Sequence, residues 1–145
     1  MLAKCKIVVL VGLPGSGKST YAREGALSSD EIRRILSDDP TNQDIHSRTF
    51  ATLRSLLRQR LELNRPLTYI DATNLTPYER RPYIRIADEY ACDIEAVFFD
   101  VPVDECQRRN RARHRVVPND AIEEMARRLV PPSVDEGFSR VIVVA

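Results

Sequence analysis

A chain of 145 residues holds enough sequence for one domain with a core of its own. With 43% hydrophobic and 30% charged residues its composition excludes a disordered chain, and 22 Lys and Arg against 21 Asp and Glu leave a formal net charge of +1, which excludes a globally basic nucleic-acid binder. The longest apolar runs, such as Ile7–Val11, fall far short of the ~20 residues that span a bilayer, so no membrane association is expected.

In chain order, extended apolar runs alternate with helical patterns. Ile7–Val11 reads as a buried strand, followed by a helix from about Gly17 to Ala26. "ALSSD" is a short strand or turn, and a helix is expected to start near Ser29 with Ile32, Ile35 and Leu36 on one face. Asp38–Asp44 is a loop by composition. From there to Asn64, Leu53, Leu56, Leu57 and Leu61 keep helical spacing, and Pro66 blocks continuation. Leu67–Asp71 is the next strand. "TPYE" (Thr76–Glu79) is a capping box with proline at the first helical position, so a helix begins there and runs to about Tyr90. Ile94–Phe99 is a strand, Val103 to about Arg113 a helix, and Asn119–Leu129 a helix with Ile122, Met125, Ala126 and Leu129 on its apolar face. Val141–Val144 closes the chain as a strand. This alternation predicts an α/β fold with a parallel sheet flanked by helices, and residues 1–145 read as a single domain. Three scattered cysteines, Cys5, Cys92 and Cys106, lack metal-ligand spacing and are expected as reduced thiols in a cytoplasmic protein. The nine Phe and Tyr rings are spread along the chain without an obvious stacking platform.

The sharpest signal is Gly12-Leu-Pro-Gly15-Ser-Gly17-Lys18-Ser19, a G-x-x-x-x-G-K-[ST] P-loop placed between a buried strand and a helix. Glycines let successive backbone N–H groups turn inward on phosphate oxygens, and the helix start adds its own unpaired N–H groups. The residues from Gly12 through Pro14, Gly15, Ser16 and Gly17 to Lys18, Ser19 and Thr20 are therefore the expected nucleotide-binding set. Lys18 would reach the β- and γ-phosphates, and the Ser19 hydroxyl would ligate Mg²⁺. No Asn-Lys-x-Asp guanine reader is available, because Lys18 is the last of only three lysines, the other two being Lys4 and Lys6. Neither "YIDAT" nor "VFFDV" ends in the Asp-Glu pair of a motor ATPase. Phosphoryl transfer to an acceptor remains.

Such transfer needs an acid to take the acceptor's proton, a cation to hold the acceptor and positive charge over the moving group. In "SSDEIRR", Asp30 and Arg33 lie three residues apart on one helical face; they supply the first two, or act as a helix cap and a solvated arginine. In "QRRNRARHR" (Gln107–Arg115), Arg109 and Arg113 project together and suit a lid over ATP, or form part of a solvated basic stripe. In "DATN", Asp71 either holds a Mg²⁺-bound water or caps a turn. Asp100 reads as the end of its strand.

The segments "GLPGSGKSTYAR", "SSDEIR", "DATNLTPYERR", "FFDVP", "RRNRAR" and "VPNDAIEEM" occur in an order that resembles the P-loop polynucleotide 5′-hydroxyl kinase family, over roughly Ile7 to Leu129. The resemblance implies an adenylate-kinase-like fold with an Arg-rich lid. It implies Asp30 as general base, Arg33 on the acceptor's phosphate, Thr73 beside the acceptor, and Arg109 and Arg113 as lid arginines. One departure is that Ala72 stands where phage members have the acid before Thr-Asn, and the acid here is Asp71. The expected function is ATP- and Mg²⁺-dependent transfer of the γ-phosphate to the 5′-OH of a nucleic-acid end or a 3′-nucleotide. A small-molecule kinase and a non-catalytic nucleotide-gated module are the other readings.

Overall fold

A computed structural model of the chain describes residues 5–22, 25–112 and 117–145. Strand β1 (Lys6–Val11) is central, and its last five residues are buried because the sheet is covered on both faces. The remaining strands are β2 (Ala26–Ser28), β3 (Leu67–Asp71), β4 (Asp93–Phe99) and β5 (Arg140–Val144), in the order β2-β3-β1-β4-β5. Every pairing is parallel. The connecting helices are α1 (Lys18–Tyr21), α2 (Ser29–Ser37), α3 (His46–Glu62), α4 (Pro77–Glu89), α5 (Val103–Arg111) and α6 (Asn119–Arg128). A 3₁₀ turn at Val134–Glu136, which the sequence reading did not anticipate, precedes β5. None of the helices among the described residues is long and apolar enough to cross a membrane.

The period-two geometry of β1 divides its side chains between two cores. Ile7, Val9 and Val11 pack with Leu53 and Leu57 of α3 and with Tyr83 and Ile86 of α4. Val8 and Leu10 face the other way, with Val97 and Phe99. Beneath the loop that follows β1, Leu13, Leu75, Val101, Cys106 and Ile122 form a third cluster, which ties α5 and α6 to that loop. Each fully buried aliphatic side chain of this kind contributes about 1.5–3 kcal/mol.

Two expectations are corrected. The inner face of α2 carries Ser29, Ile32 and Arg33, while Ile35 and Leu36 are 63% and 42% exposed. The helix is turned so that Arg33 enters the interior in place of the apolar pair. In α3, Leu53, Leu57 and Leu61 are buried with Thr49, and Leu56 is 37% exposed, so the core stripe follows the i, i+4 row alone. The cysteines also differ from expectation. Cys5 and Cys92 form a disulfide with Cα atoms 5.0 Å apart, although 87 residues separate them in sequence. They immediately precede β1 and β4, whose first residues Lys6 and Asp93 are register partners. In the loop-entropy account, closing so long a loop stabilises by about 4–5 kcal/mol. Cys106 is a buried thiol whose S–H donates to the Val101 carbonyl at 3.6 Å.

Candidate active site

Parallel sheets place ligand sites at the carboxyl ends of their strands. Here the register aligns Leu10 of β1 and Ser28 of β2 with Asp71 of β3. The loop after β1, the start of α2 and the end of β3 therefore open on one cleft of about 1220 Å³, lined by Lys18, Asp30, Arg33 and Asp71 among others.

The loop after β1 has the backbone its glycines suggested. Gly15 and Gly17 have φ of +85° and +105°, in the left-handed region that costs other residues strain. A Cβ on Gly15 would also lie 2.4 Å from the Cys106 carbonyl oxygen of α5, so glycine is needed for close approach as well. Gly12 differs: it lies beneath the loop and off the cleft, its N–H donates to the Thr73 carbonyl at 3.1 Å, and a Cβ there would meet Ser16 Oγ at 2.6 Å. Ser16 is likewise interior, and its hydroxyl has no hydrogen-bond partner among the described residues. Pro14, Gly15, Gly17, Lys18, Ser19 and Thr20 face the cleft. Lys18 is 8% exposed and its ammonium donates to the Leu13 carbonyl at 2.9 Å, which folds it along the loop. Thr20 Oγ1 donates to the Gly17 carbonyl at 2.8 Å, leaving its backbone N–H as the group the helix start can offer an anion.

Ser19 and Asp71, 52 residues apart in sequence, meet here: Ser19 Oγ donates to Asp71 Oδ2 at 3.3 Å. A hydroxyl beside a carboxylate fits Mg²⁺, which takes few protein ligands and keeps waters and substrate phosphates for the rest. Among the described residues no group of three or more His, Cys, Asp or Glu side chains is placed to hold a metal ion.

At the start of α2 the helix cap is Ser28, whose side chain accepts the Glu31 N–H at 3.2 Å. Asp30 is therefore not the cap, and its carboxylate accepts from Arg33 Nη1 at 3.2 Å. Arg33, 6% exposed, sits 5.8 Å from the centroid of the Phe50 ring, and that ring is 4.8 Å from the His46 ring. Thr73 also lines the cleft.

On the opposite side Arg109 of α5 approaches the loop, with Nη1 4.0 Å from the Cβ position of Gly17. Its Nε donates to Glu105 at 2.8 Å, and hydrogen bonds from Arg108 and then Arg109 hold the Glu105 carboxyl down to about 2. Burial pushes the Cys106 thiol up, opposed by the nearby charges of Lys18 and Arg109. Arg113, the second expected lid arginine, lies outside the described residues.

A buttress behind Asp71 was missed by sequence reasoning. Asn74, buried with φ of +49°, donates through Nδ2 to the carbonyls of Leu10 at 2.7 Å and Ala72 at 3.2 Å. The fully buried Arg80 donates to the Asn74 carbonyl at 2.8 Å and makes a two-pronged pair with Glu136 at 2.9 and 2.8 Å. Helical phase was the available signal, because Arg80 shares a face with Tyr83 and Ala87 whereas its neighbour Arg81 does not.

A phosphate-binding loop at the end of the central strand of this sheet defines a P-loop kinase fold. The chain belongs to the AAA_33 family, described as an AAA domain, whose pattern matches residues 7–132. It is 30% identical over 141 residues to the bifunctional polynucleotide phosphatase/kinase of Schizosaccharomyces pombe, covering 94% of this chain and 32% of that protein. It is 24% identical over 138 residues to the L-seryl-tRNA(Sec) kinase of Methanococcus maripaludis, covering 87% of this chain and 53% of that one. The chain thus spans about a third to a half of these relatives' length. A chain of the Pnkp1/Rnl/Hen1 RNA repair complex superposes with a TM-score of 0.74 at 25% identity, over 89% of this chain and 45% of that one. A gluconokinase from Sinorhizobium meliloti 1021 shares the fold, with a TM-score of 0.63 at 18% identity over 99% of this chain and 83% of that one.

Proposed function

We propose that this domain transfers the γ-phosphoryl group of ATP to the 5′-hydroxyl of a polynucleotide or a 3′-nucleotide. The observation that carries the reading is the Asp30–Arg33 pair on the same cleft as the P-loop: a carboxylate and a buried guanidinium 3.2 Å apart. Such a pair couples a proton acceptor to a phosphate anchor, which an acceptor bearing a 3′-phosphate next to its 5′-hydroxyl requires. The names borne by its relatives, a polynucleotide phosphatase/kinase and an RNA repair complex, support the same acceptor class.

In this reading the backbone amides from Gly15 to Thr20 cradle the phosphates, and Lys18 leaves the Leu13 carbonyl to reach the β- and γ-oxygens. Arg33 holds the acceptor phosphate, and Thr73 lies beside the acceptor. Asp30 orients the hydroxyl and takes its proton as the new oxygen–phosphorus bond forms. The bond between the γ-phosphorus and the bridging oxygen breaks, and ADP departs. Arg109 and Arg113 bring positive charge over the group in flight. Ser19 and Asp71 would hold Mg²⁺, which when bound neutralises charge on the β- and γ-oxygens.

The test is transfer from γ-labelled ATP to a panel of 5′-OH DNA and RNA oligonucleotides, 3′-nucleotides, nucleosides and sugars. Label is expected on the oligonucleotides or 3′-nucleotides. Asp30→Ala should keep ATP binding and lose about 10²–10⁴-fold in turnover. Label confined to nucleosides or sugars would replace this reading with a small-molecule kinase, which the net charge of +1 favours. Full turnover in Asp30→Ala would remove it as the base.

A further inference from the structure

The cleft continues past Arg33 into an arm between α3 and α4 that the transfer chemistry does not use. We propose that this arm is a track for the single-stranded acceptor beyond its first nucleotide, gripping its phosphates with Arg54, Arg58, Arg81 and Arg85 and stacking a base on Tyr78. The inference rests on the polynucleotide reading for the end that enters the site, and it adds the substrate's form: an extended single strand, with affinity that grows with length.

Four observations carry it. On α3, His46, Phe50, Arg54 and Arg58 recur every fourth residue and all line the cleft, so one stripe runs outward from the ring beside Arg33. Successive members are one turn, about 6 Å, apart along the helix axis. On α4, Tyr78, Arg81 and Arg85 face the same arm. Two helices thus present guanidinium groups to a single groove.

Positive charge is concentrated along the whole cleft, and four of its arginines are those of the arm. The cleft is lined by eight Lys and Arg against four Asp and Glu, in a chain whose net charge is only +1. This concentration was invisible in the overall composition.

Three of the arm's four arginines also lack, among the described residues, the ion pair that several other surface arginines make. Arg34, Arg108 and Arg127 each pair with a glutamate three residues earlier on their own helix. Along the arm, Arg58 pairs with Glu89, but Arg54, Arg81 and Arg85 have no ion-pair partner among the described residues. A polyanion would supply one.

Last, Tyr78 is 75% exposed, and the Arg81 guanidinium lies 5.7 Å from its ring centroid. An exposed ring beside a guanidinium group suits an unpaired base, and such stacking accepts any sequence. Two of the aromatics scattered along the linear sequence, Tyr78 of α4 and Phe50 of α3, therefore line one cleft.

The experiment measures binding and transfer separately. A 12-nucleotide single strand with a free 5′-hydroxyl and a 3′ fluorophore, made as DNA and as RNA, is titrated with the full chain by fluorescence anisotropy at several salt concentrations. Transfer to that strand and to a 3′-nucleotide is measured in parallel. Arg54→Glu/Arg85→Glu should weaken 12-mer binding about tenfold or more, and should reduce the slope of log affinity on log salt by about 1.4, or ~0.7 per lost phosphate contact. Its KM for the 3′-nucleotide should stay within twofold of the parent. Arg54→Lys/Arg85→Lys should retain most of the 12-mer affinity, which separates charge from folding. Unchanged 12-mer binding in the Glu pair overturns the track, and so does an equal loss on the 3′-nucleotide. If no 5′-hydroxyl acceptor is phosphorylated but the 12-mer binds and the Glu pair abolishes that binding, the kinase reading falls and the track stands. If transfer occurs and affinity does not rise from the 3′-nucleotide to the 12-mer, the track falls and the kinase reading stands. The DNA and RNA arms rank the two sugars.

Discussion

At the P-loop end the lining of the cleft comes from one short run of sequence between Pro14 and Thr20, fixed by two left-handed glycines and by packing against α5. Along the arm between α3 and α4 the polar groups are side chains of residues four apart on two helices. A backbone site is specified by consecutive residues and fails when its supports shift. A side-chain site is specified by helix phase and changes by increments. The two ends should therefore respond differently to substitution.

The largest expected effect comes from a residue that no substrate touches. Arg80 is fully buried, and it joins Glu136 to the carbonyl of Asn74, whose side chain in turn holds the Leu10 carbonyl at the mouth of the P-loop. Arg80→Met keeps the volume and leaves Glu136, itself largely buried, without its guanidinium. Breaking such a pair costs about 3–5 kcal/mol. The urea midpoint should fall accordingly, and ATP affinity should fall with it because Asn74 loses its anchor. Arg81→Met, one residue on and exposed, should shift stability by no more than about 0.5 kcal/mol. Equal midpoints for the two variants would dissolve the contrast.

Next is Gly15→Ala. A methyl at φ of +85° is strained, and it would stand 2.4 Å from the Cys106 carbonyl, which cannot move without shifting α5. A strained position of this kind costs about 1–3 kcal/mol. The expected signature is lost ATP binding, read by calorimetry, with 12-mer binding on the arm preserved. Loss of both together would mean that the donor end and the arm are not separable.

The same contrast explains what the sequence could disclose. The P-loop, β1 and the proline-started α4 were legible because each is encoded in adjacent residues. Asp30 and Arg33 were legible as a pair because three residues of helix bring them together. What remained hidden depends on partners far apart in the chain. Asp71 meets Ser19 across 52 residues, and Cys5 meets Cys92 only because β1 and β4 start side by side. Apolar periodicity misled at α2, where Ile35 and Leu36 suggested the inner face, because that helix borders the cleft and turns Arg33 inward. In a helix that builds a site, chemistry can outrank hydrophobicity in deciding which face is covered. Arg54, Arg58, Arg81 and Arg85 carried no signal in the sequence for the complementary reason: helical spacing shows which residues of each helix share a face, while only the fold brings α3 and α4 to one groove.

The smallest effect sharpens the border between backbone and side-chain control at Arg109. Glu105 accepts from the Arg109 Nε and leaves Nη1 beside Gly17, so in the proposed reading the carboxylate positions the arginine for the phosphates. Hydrogen bonds from Arg108 and Arg109 depress its carboxyl to about 2. A depressed carboxyl contributes fully above its ordinary value of about 4.5 and loses that contribution only as pH falls through the lowered one. The tether is therefore constant from pH 5 to 9. Glu105→Gln should raise the KM for ATP by about threefold to tenfold, by the same factor at every pH in that window. Because the residue is half-buried and its partners are surface arginines, the melting temperature should change little. A lower KM in Glu105→Gln would mean that the carboxylate competes with the phosphates, and Arg109 would then have to break its bond to Glu105 before it could serve the site.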